Sequence, residues 1–569
     1  MTRGARQGSY GPDRPRREGI IRSHTRTRRA RAPLAASALA ALLALASLGA
    51  CSDEPGGDAR RVALPDADAL LVVPALEPLR ARAVAFLAGI EGTSGVLDLV
   101  AGRYGLDLRT PEGLAEAGID GAQSLVACEK AGAAVVAVGV LDPERFRAVL
   151  SERFTGSAGA TLAPPAGEGG LVVATGPAPA PVAGPDGMAP SEPPAPRWRA
   201  AFGVTPDRVG LVVVTPADAD PAVLWQTAAG GDGSALASEL AKAAKERAGE
   251  GAVAWGYTGD IVPAAPEGLG LAANVVEPAL DGLQHFYGGV ALDADRLQVH
   301  LAADHVGDRE LPVTWLVPEG SPDVFADVFP KTTTALVRLR MNLGRVRKIP
   351  RILRDNVMPS TLPGLSGLPL PALSDLVDLV EGDVAVALLG VADQATLTDL
   401  GQLQRGGGFE RVLHVALAAR ARDSAGLMEA FGGIASQLET SRWTVAPIDA
   451  GGFRGWAFSR DERAYSVLIG HGVVVFVIGR GEVEPFLAVA EKRALPLASL
   501  AEGEPTVAAA LGREPATFGF VAGFTRLTRE LADKGVPPYF LKILNDIRVL
   551  GARVDVAEKR VSVDLDVSL

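Results

Sequence analysis

Cysteine is nearly absent, with two in 569 residues, and that excludes a disulfide scaffold. Histidine is scarce too. Beyond the leader described below, His285, His300, His305, His414 and His471 remain, with no H-x-x-x-H pair and no thiol at zinc-ligand spacing. The Gly-x-Ser-x-Gly elbow of serine hydrolases is missing, and the nearest string, Gly364-Leu365-Ser366-Gly367, is one residue out of frame. The glycine clusters Gly230-Gly231-Asp232-Gly233-Ser234 and Gly406-Gly407-Gly408 lack the Lys-Ser/Thr ending of a phosphate loop. The aspartate pairs Asp66/Asp68, Asp218/Asp220 and Asp293/Asp295 do not continue into a twelve-residue calcium loop with a distal Glu, so they read as turn caps. Positive charge is also in deficit. Lys and Arg number 56 against 67 Asp and Glu, a net of −11, which argues against general nucleic-acid binding. No cofactor, no metal and no catalytic residue is expected from these patterns.

The N-terminus is the exception to the acidic balance. Residues 1–31 hold ten Arg against Asp13 and Glu18. The uncharged stretch Ala32–Ala50 follows, short for a spanning helix and right for a signal-peptide apolar region. It ends in Leu48-Gly49-Ala50-Cys51. Leu, two small residues and Cys resemble the lipobox of bacterial lipoproteins. The resemblance implies cleavage between Ala50 and Cys51 and transfer of a diacylglyceryl group to the Cys51 thiol, with acylation (palmitate among the acyl chains) of the new amine. Two or three acyl chains hold a protein stably at a bilayer where one is marginal. Ser52 rather than Asp after the Cys resembles cargo sorted to the outer membrane, facing the periplasm or the cell surface. Removal of residues 1–50 leaves 46 cations and 65 anions, a net of −19. Cys128, in the apolar run Ser124–Cys128, then becomes the only thiol and reads as a small buried hydrophobe.

The body, at over 500 residues, exceeds what one core usually serves, and two domains are expected. Segments recur in the same order at offsets of 263–266. Ala69-Leu70-Leu71-Val72-Val73 matches Ala335-Leu336-Val337-Arg338-Leu339, Gly118-Ile119-Asp120 matches Gly382-Asp383, and Trp255-Gly256-Tyr257 matches Phe518-Gly519-Phe520. The hairpin-like stretches 290–301 and 553–565 match in the same way. Strand and helix signals alternate: Val135–Val140 is followed by Asp142-Pro143-Glu144, a helix start, and Leu413–Leu417 by the Asp423 helix. Val473–Ile478, wholly apolar, reads as a central strand. The expected fold is α+β, with two tandem, internally duplicated modules, each a mainly antiparallel sheet packed with helices. The expected bounds are a flexible tether at 51–64, a first module at 65–308 with a disordered Pro/Ala/Gly-rich insertion at 156–196, a linker at 309–329, and a second module at 330–569. A Gly-rich loop, 390–411, interrupts the second.

The opening Leu64-Pro65-Asp66, the middle Gly382-Asp383-Val384 and the strand-then-Asp-helix segments are similar to a family of uncharacterised bacterial envelope proteins built on a domain of unknown function. That resemblance implies a fold class and a location, with no reaction. One charge run stands apart. Arg338, Arg340, Arg345, Arg347, Lys348, Arg351 and Arg354 occur without an acid between them, with Leu343, Val346, Ile349 and Leu353 at roughly helical spacing. Such a segment suits a contact with anionic headgroups or an acidic protein partner. The functional expectation is a lipid-anchored, non-enzymatic binding or structural protein of the envelope. A carrier of a hydrophobic ligand or lipid is the alternative, and an unrecognised hydrolase the third reading.

Overall fold

A computed structural model of the chain describes residues 57–569, with 99–107, 178–197, 260–282, 306–323, 349–372 and 397–411 the longer stretches outside the description. Shorter ones lie at 65, 91–92, 94, 96, 157, 167–169, 250, 341, 461–462, 480, 512–515 and 558. Both Ala50 and Cys51 therefore lie outside the described residues, as do the leader and Arg351 and Arg354.

Twenty strands are described. The first ten are β1 (Ala69–Val73), β2 (Leu125–Lys130), β3 (Ala133–Gly139), β4 (Thr161–Leu162), β5 (Val172–Thr175), β6 (Trp198–Val204), β7 (Val209–Pro216), β8 (Ala252–Thr258), β9 (Leu283–Leu292) and β10 (Arg296–His305). The rest are β11 (Ala335–Arg340), β12 (Val380–Val391), β13 (Leu413–Ala421), β14 (Thr444–Ala450), β15 (Phe453–Arg460), β16 (Arg463–Gly470), β17 (Val473–Ile478), β18 (Phe518–Gly523), β19 (Val549–Ala557) and β20 (Arg560–Ser568). Helices of seven residues or more are α1 (Leu76–Ala88), α2 (Pro143–Gly156), α3 (Pro221–Ala229), α4 (Glu239–Arg247), α5 (Leu373–Leu379), α6 (Ser424–Glu439), α7 (Glu484–Ala490), α8 (Pro505–Leu511), α9 (Phe524–Ala532) and α10 (Pro538–Asp546).

All pairings are antiparallel and join the strands into one sheet. Its order is β4-β5-β6-β7-β3-β2-β1-β8-β9-β10-β20-β19-β18-β11-β12-β13-β17-β16-β15-β14. The expected pair of duplicated α+β modules, each with its own sheet, is thereby corrected: the architecture is a single antiparallel sheet of 20 strands dressed with helices. The joint is the pairing of β10 with β20, in register from Arg296↔Ser568 to Asp304↔Arg560. An unpaired outer strand exposes a row of N–H and C=O groups, and two such edges satisfy one another by pairing.

Local chemistry explains the individual elements. Asp142 accepts from the amides of Glu144 and Arg145, both at 3.0 Å, where α2 starts. The Gly426 amide at the start of α6 donates to Asp423 at 2.9 Å, so both Asp-led helix starts are side-chain caps. Every residue of β17 is buried, between β13 and β16. Helices α3 and α4 lie over one large core with Val126, Val135, Leu211 and Trp255, and α6 lies over another with Val467, Phe476 and Ile478.

Two boundaries shift. The expected tether, 51–64, is docked from Gly57 onward, whose amide donates to Arg208 O at 3.0 Å, and Ala59, Val62, Ala63 and Leu64 are buried. Within the expected disordered insertion, β4 and β5 pair with each other and β5 with β6, burying Val172 and Ala174. Alternating apolar residues can join a sheet even in a Pro- and Gly-rich neighbourhood, provided that an edge is there to receive them.

Candidate functional site

The β9-β10-β20-β19 region, at the middle of the sheet, has two unlike faces. Directly opposed residues of an antiparallel ladder share a face. Gly289, His300, Asp564 and Arg553 therefore project to one side, as do Ala291, Gln298, Asp566 and Gly551. Helices α4 and α8 close on this side because two positions carry no side chain. A Cβ on Gly289 would sit 2.5 Å from Ala248 Cα, and one on Gly551 would sit 2.9 Å from Thr506.

Between those helices lies an open cleft of about 380 Å³, lined by Arg247, Gln298, His300, Arg553, Asp555 and Asp564 among others. Its charges are paired across strands, between helix and strand, and in one case along a strand. Asp566, 4% exposed, accepts from Arg296 Nε at 2.9 Å, from Gln298 Nε2 at 3.2 Å and from Thr506 Oγ1 of α8 at 2.9 Å. The carboxylate beside Arg296 holds that guanidinium's pKa above its ordinary value. His300 Nδ1 is bonded to Asp564. Asp304 takes Arg247 Nη1 and Tyr287 Oη, each at 3.0 Å, and Arg560 Nε at 3.4 Å. The Arg247 guanidinium also lies 3.8 Å from the Tyr287 ring centroid. Burial, with Asp304 adding to it, raises the Tyr287 phenol. Arg553 grips Asp555 with bonds of 2.6 and 3.1 Å. Each acid here already has a cation or a histidine, and the contacts cross-link three strands (β9, β10 and β20) and two helices. The enclosed apolar cavity of a carrier is not what this cleft provides.

The opposite face is apolar over a long stretch. One row runs Gly288, Leu301, Val563, Val554, Phe518, Leu339, Val384. The next runs Val290, Val299, Leu565, Ala552, Phe520, Val337, Val386. None of these fourteen residues is buried, and Leu301 is 50% and Val386 45% exposed. Seven strands at the usual spacing make the strip about 29 Å long. At one end α1 covers it, with Phe86 against Val290, Leu292, Leu297 and Val567.

The basic run does not form one surface, which corrects that expectation. Leu336, Arg338 and Arg340 share the covered face of β11; Arg338 is fully buried, and Arg340 Nε pairs with Asp383 at 2.7 Å. Arg347 spends its guanidinium on the Val377 carbonyl, at 3.1 Å, and that of Val380. Lys348 is exposed, and the side chain of Arg345 lies outside the description. Cys128 is buried, pushed up to about 11 by that burial, and its sulfur accepts from the Leu64 amide at 3.5 Å. Of the histidines, His414 Nδ1 meets Glu482 at 2.7 Å, and His471 Nε2 meets Gly451 O at 2.6 Å. Among the described residues no three His, Cys, Asp or Glu converge as a metal site, and no helix is long and apolar enough to cross a membrane.

No protein-family model matches the chain, and no curated protein does. Among solved structures, crystal form III of TP0453 is similar at 10% identity and a TM-score of 0.25, covering 47% of this chain and 85% of that one. Crystal form I of TP0453 gives 11%, 0.25, 46% and 84%. So distant a likeness carries neither fold nor function across.

Proposed function

We propose that this is a non-enzymatic protein of a bacterial envelope, anchored by lipid at Cys51, whose sheet binds an extended hydrophobic ligand along its apolar face. The observation that supports the binding role is the strip of fourteen unburied apolar positions crossing seven strands. Soluble proteins rarely leave a contiguous apolar surface of such length without a partner for it. The paired charges on the other side support a scaffold role for that face, since they tie the strands under the strip to each other and to α4 and α8. Location rests on the lipobox and on Ser52, which favours the outer membrane.

Two measurements test this. Native mass spectrometry of protein extracted from membranes should show a diacylglyceryl mass on residue 51 and a co-purifying lipid. Leu301→Asp with Leu565→Asp should abolish binding of a fluorescent fatty acid while leaving the circular dichroism unchanged. Equal probe binding by the double variant would overturn the binding role.

A further inference from the structure

Helices α9 and α10 form a hairpin that leaves the sheet after β18 and returns at β19. Helix α9 seats Leu527 and Leu531 against Val391, Ala392 and Val412. Helix α10 packs on α9 and has no buried residue. The turn between them ends in Gly535-Val536-Pro537, and α10 opens with Pro538-Tyr539-Phe540. Tyr539 is 60% and Phe540 49% exposed, and they are the only aromatics among the large, exposed hydrophobic side chains described. Their ring centroids lie 3.9 Å apart, so the two present one apolar knob beyond a stiff proline pair. The segment 524–548 carries Arg526, Arg529, Lys534, Lys542 and Arg548 against Glu530, Asp533 and Asp546. It is thus net positive within a chain of net charge −11.

We infer that this hairpin tip inserts into the interfacial region of an anionic lipid bilayer. Tyrosine and phenylalanine side chains favour the headgroup boundary, and flanking cations add attraction to anionic lipid. A bilayer is within reach on the anchoring reading above, on which this part of the argument rests. Gly57 is docked on Arg208, and the six residues back to Cys51 span at most about 21 Å. The registers also put both features on one rim of the sheet: the strand ends at Val209, Gly139, Leu125 and Val73 continue through Leu292, Ser568 and Val549 to Gly523, where α9 departs. Insertion would bury a knob that water otherwise wets, and would add a second point of attachment that fixes how the anchored sheet stands on the membrane.

The test uses full-length protein carrying Phe540→Trp, with Val223→Trp on the exposed face of α3 as control. Each is mixed with vesicles of phosphatidylethanolamine and phosphatidylglycerol, three to one, with and without brominated acyl chains. The expected result is a blue shift and a loss of emission for the 540 variant with brominated lipid, with neither for the 223 variant. Emission at 540 unchanged by brominated lipid would overturn the inference. So would a blue shift that appears without vesicles and grows with protein concentration, since a second copy would then cover the tip. The mass of residue 51 is read separately, so loss of the anchor and failure of insertion are distinguishable results.

Discussion

The two faces of the sheet around β10 and β20 invert the usual distribution. Charges lie on the side covered by α4 and α8, and aliphatic and aromatic side chains lie on the other side, of which α1 covers one end. On the covered side each charge is tolerated because a partner reaches it. Asp566 has three donors, and Arg340 and Asp383 face each other across β11 and β12. On the apolar side Leu301 and Leu565 are exposed, so substitutions there test the proposed binding role with little cost to the fold. A residue's role here follows from which side of the pleat it occupies, a matter of odd or even numbering.

The sharpest way to break this contrast is to orphan a buried charge. Asp383→Ala should cost about 3–5 kcal/mol in urea unfolding, because Arg340 would stay buried without its carboxylate. Asp566→Ala, at a less enclosed pair, should cost about 3 kcal/mol and expose the β10–β20 amides to hydrogen exchange ahead of those of β17. Asp58 sits between the two extremes, part-exposed, capping the turn at Ala59–Val62 and accepting from Ser124 at 2.9 Å. Its hydrogen bonds with Arg60, offset in part by burial, lower it to about 2 from 3.8. Its contribution is therefore complete above the ordinary carboxylate value and lost as pH falls towards 2. Asp58→Ala should cost about 1 kcal/mol at pH 7, and the difference from wild type should vanish in acid unfolding. The apolar face should respond least. Leu301→Ser should change stability by no more than about 0.5 kcal/mol while weakening probe binding. Cys128 offers a null test of integrity: with its thiol pushed up to about 11 by burial, it should not react with a disulfide reagent at pH 8 until the chain is unfolded.

Part of this was legible in the residues themselves. The caps at Asp142 and Asp423 and the wholly apolar β17 follow from local propensity and periodicity, which act over a few residues. The closing hairpins were legible as well, since strict alternation over 290–301 and 553–565 needs only a neighbouring strand. Arg338 and Arg340 misled because alternation does not say which face is covered. Their face is shared with Leu336, and the carboxylate for Arg340 arrives 43 residues later in the chain. The tip at Tyr539 and Phe540 carried a signal, a proline pair followed by two aromatics, that reads as an ordinary turn until burial is known.

Composition and short-range pattern by themselves determined the acidic balance, the strand and helix starts, and the pleat parity of each hairpin. Those properties depend on neighbours in sequence, where sterics and backbone hydrogen bonding act. Tertiary structure alone decided that the sheet is one, that β10 meets β20, that two arginines lie buried, and that a strip of apolar positions stays unburied. Each of these depends on which distant edge or helix arrives, and free energy gained by closing edges and pairing buried charges is written in no local stretch of the chain.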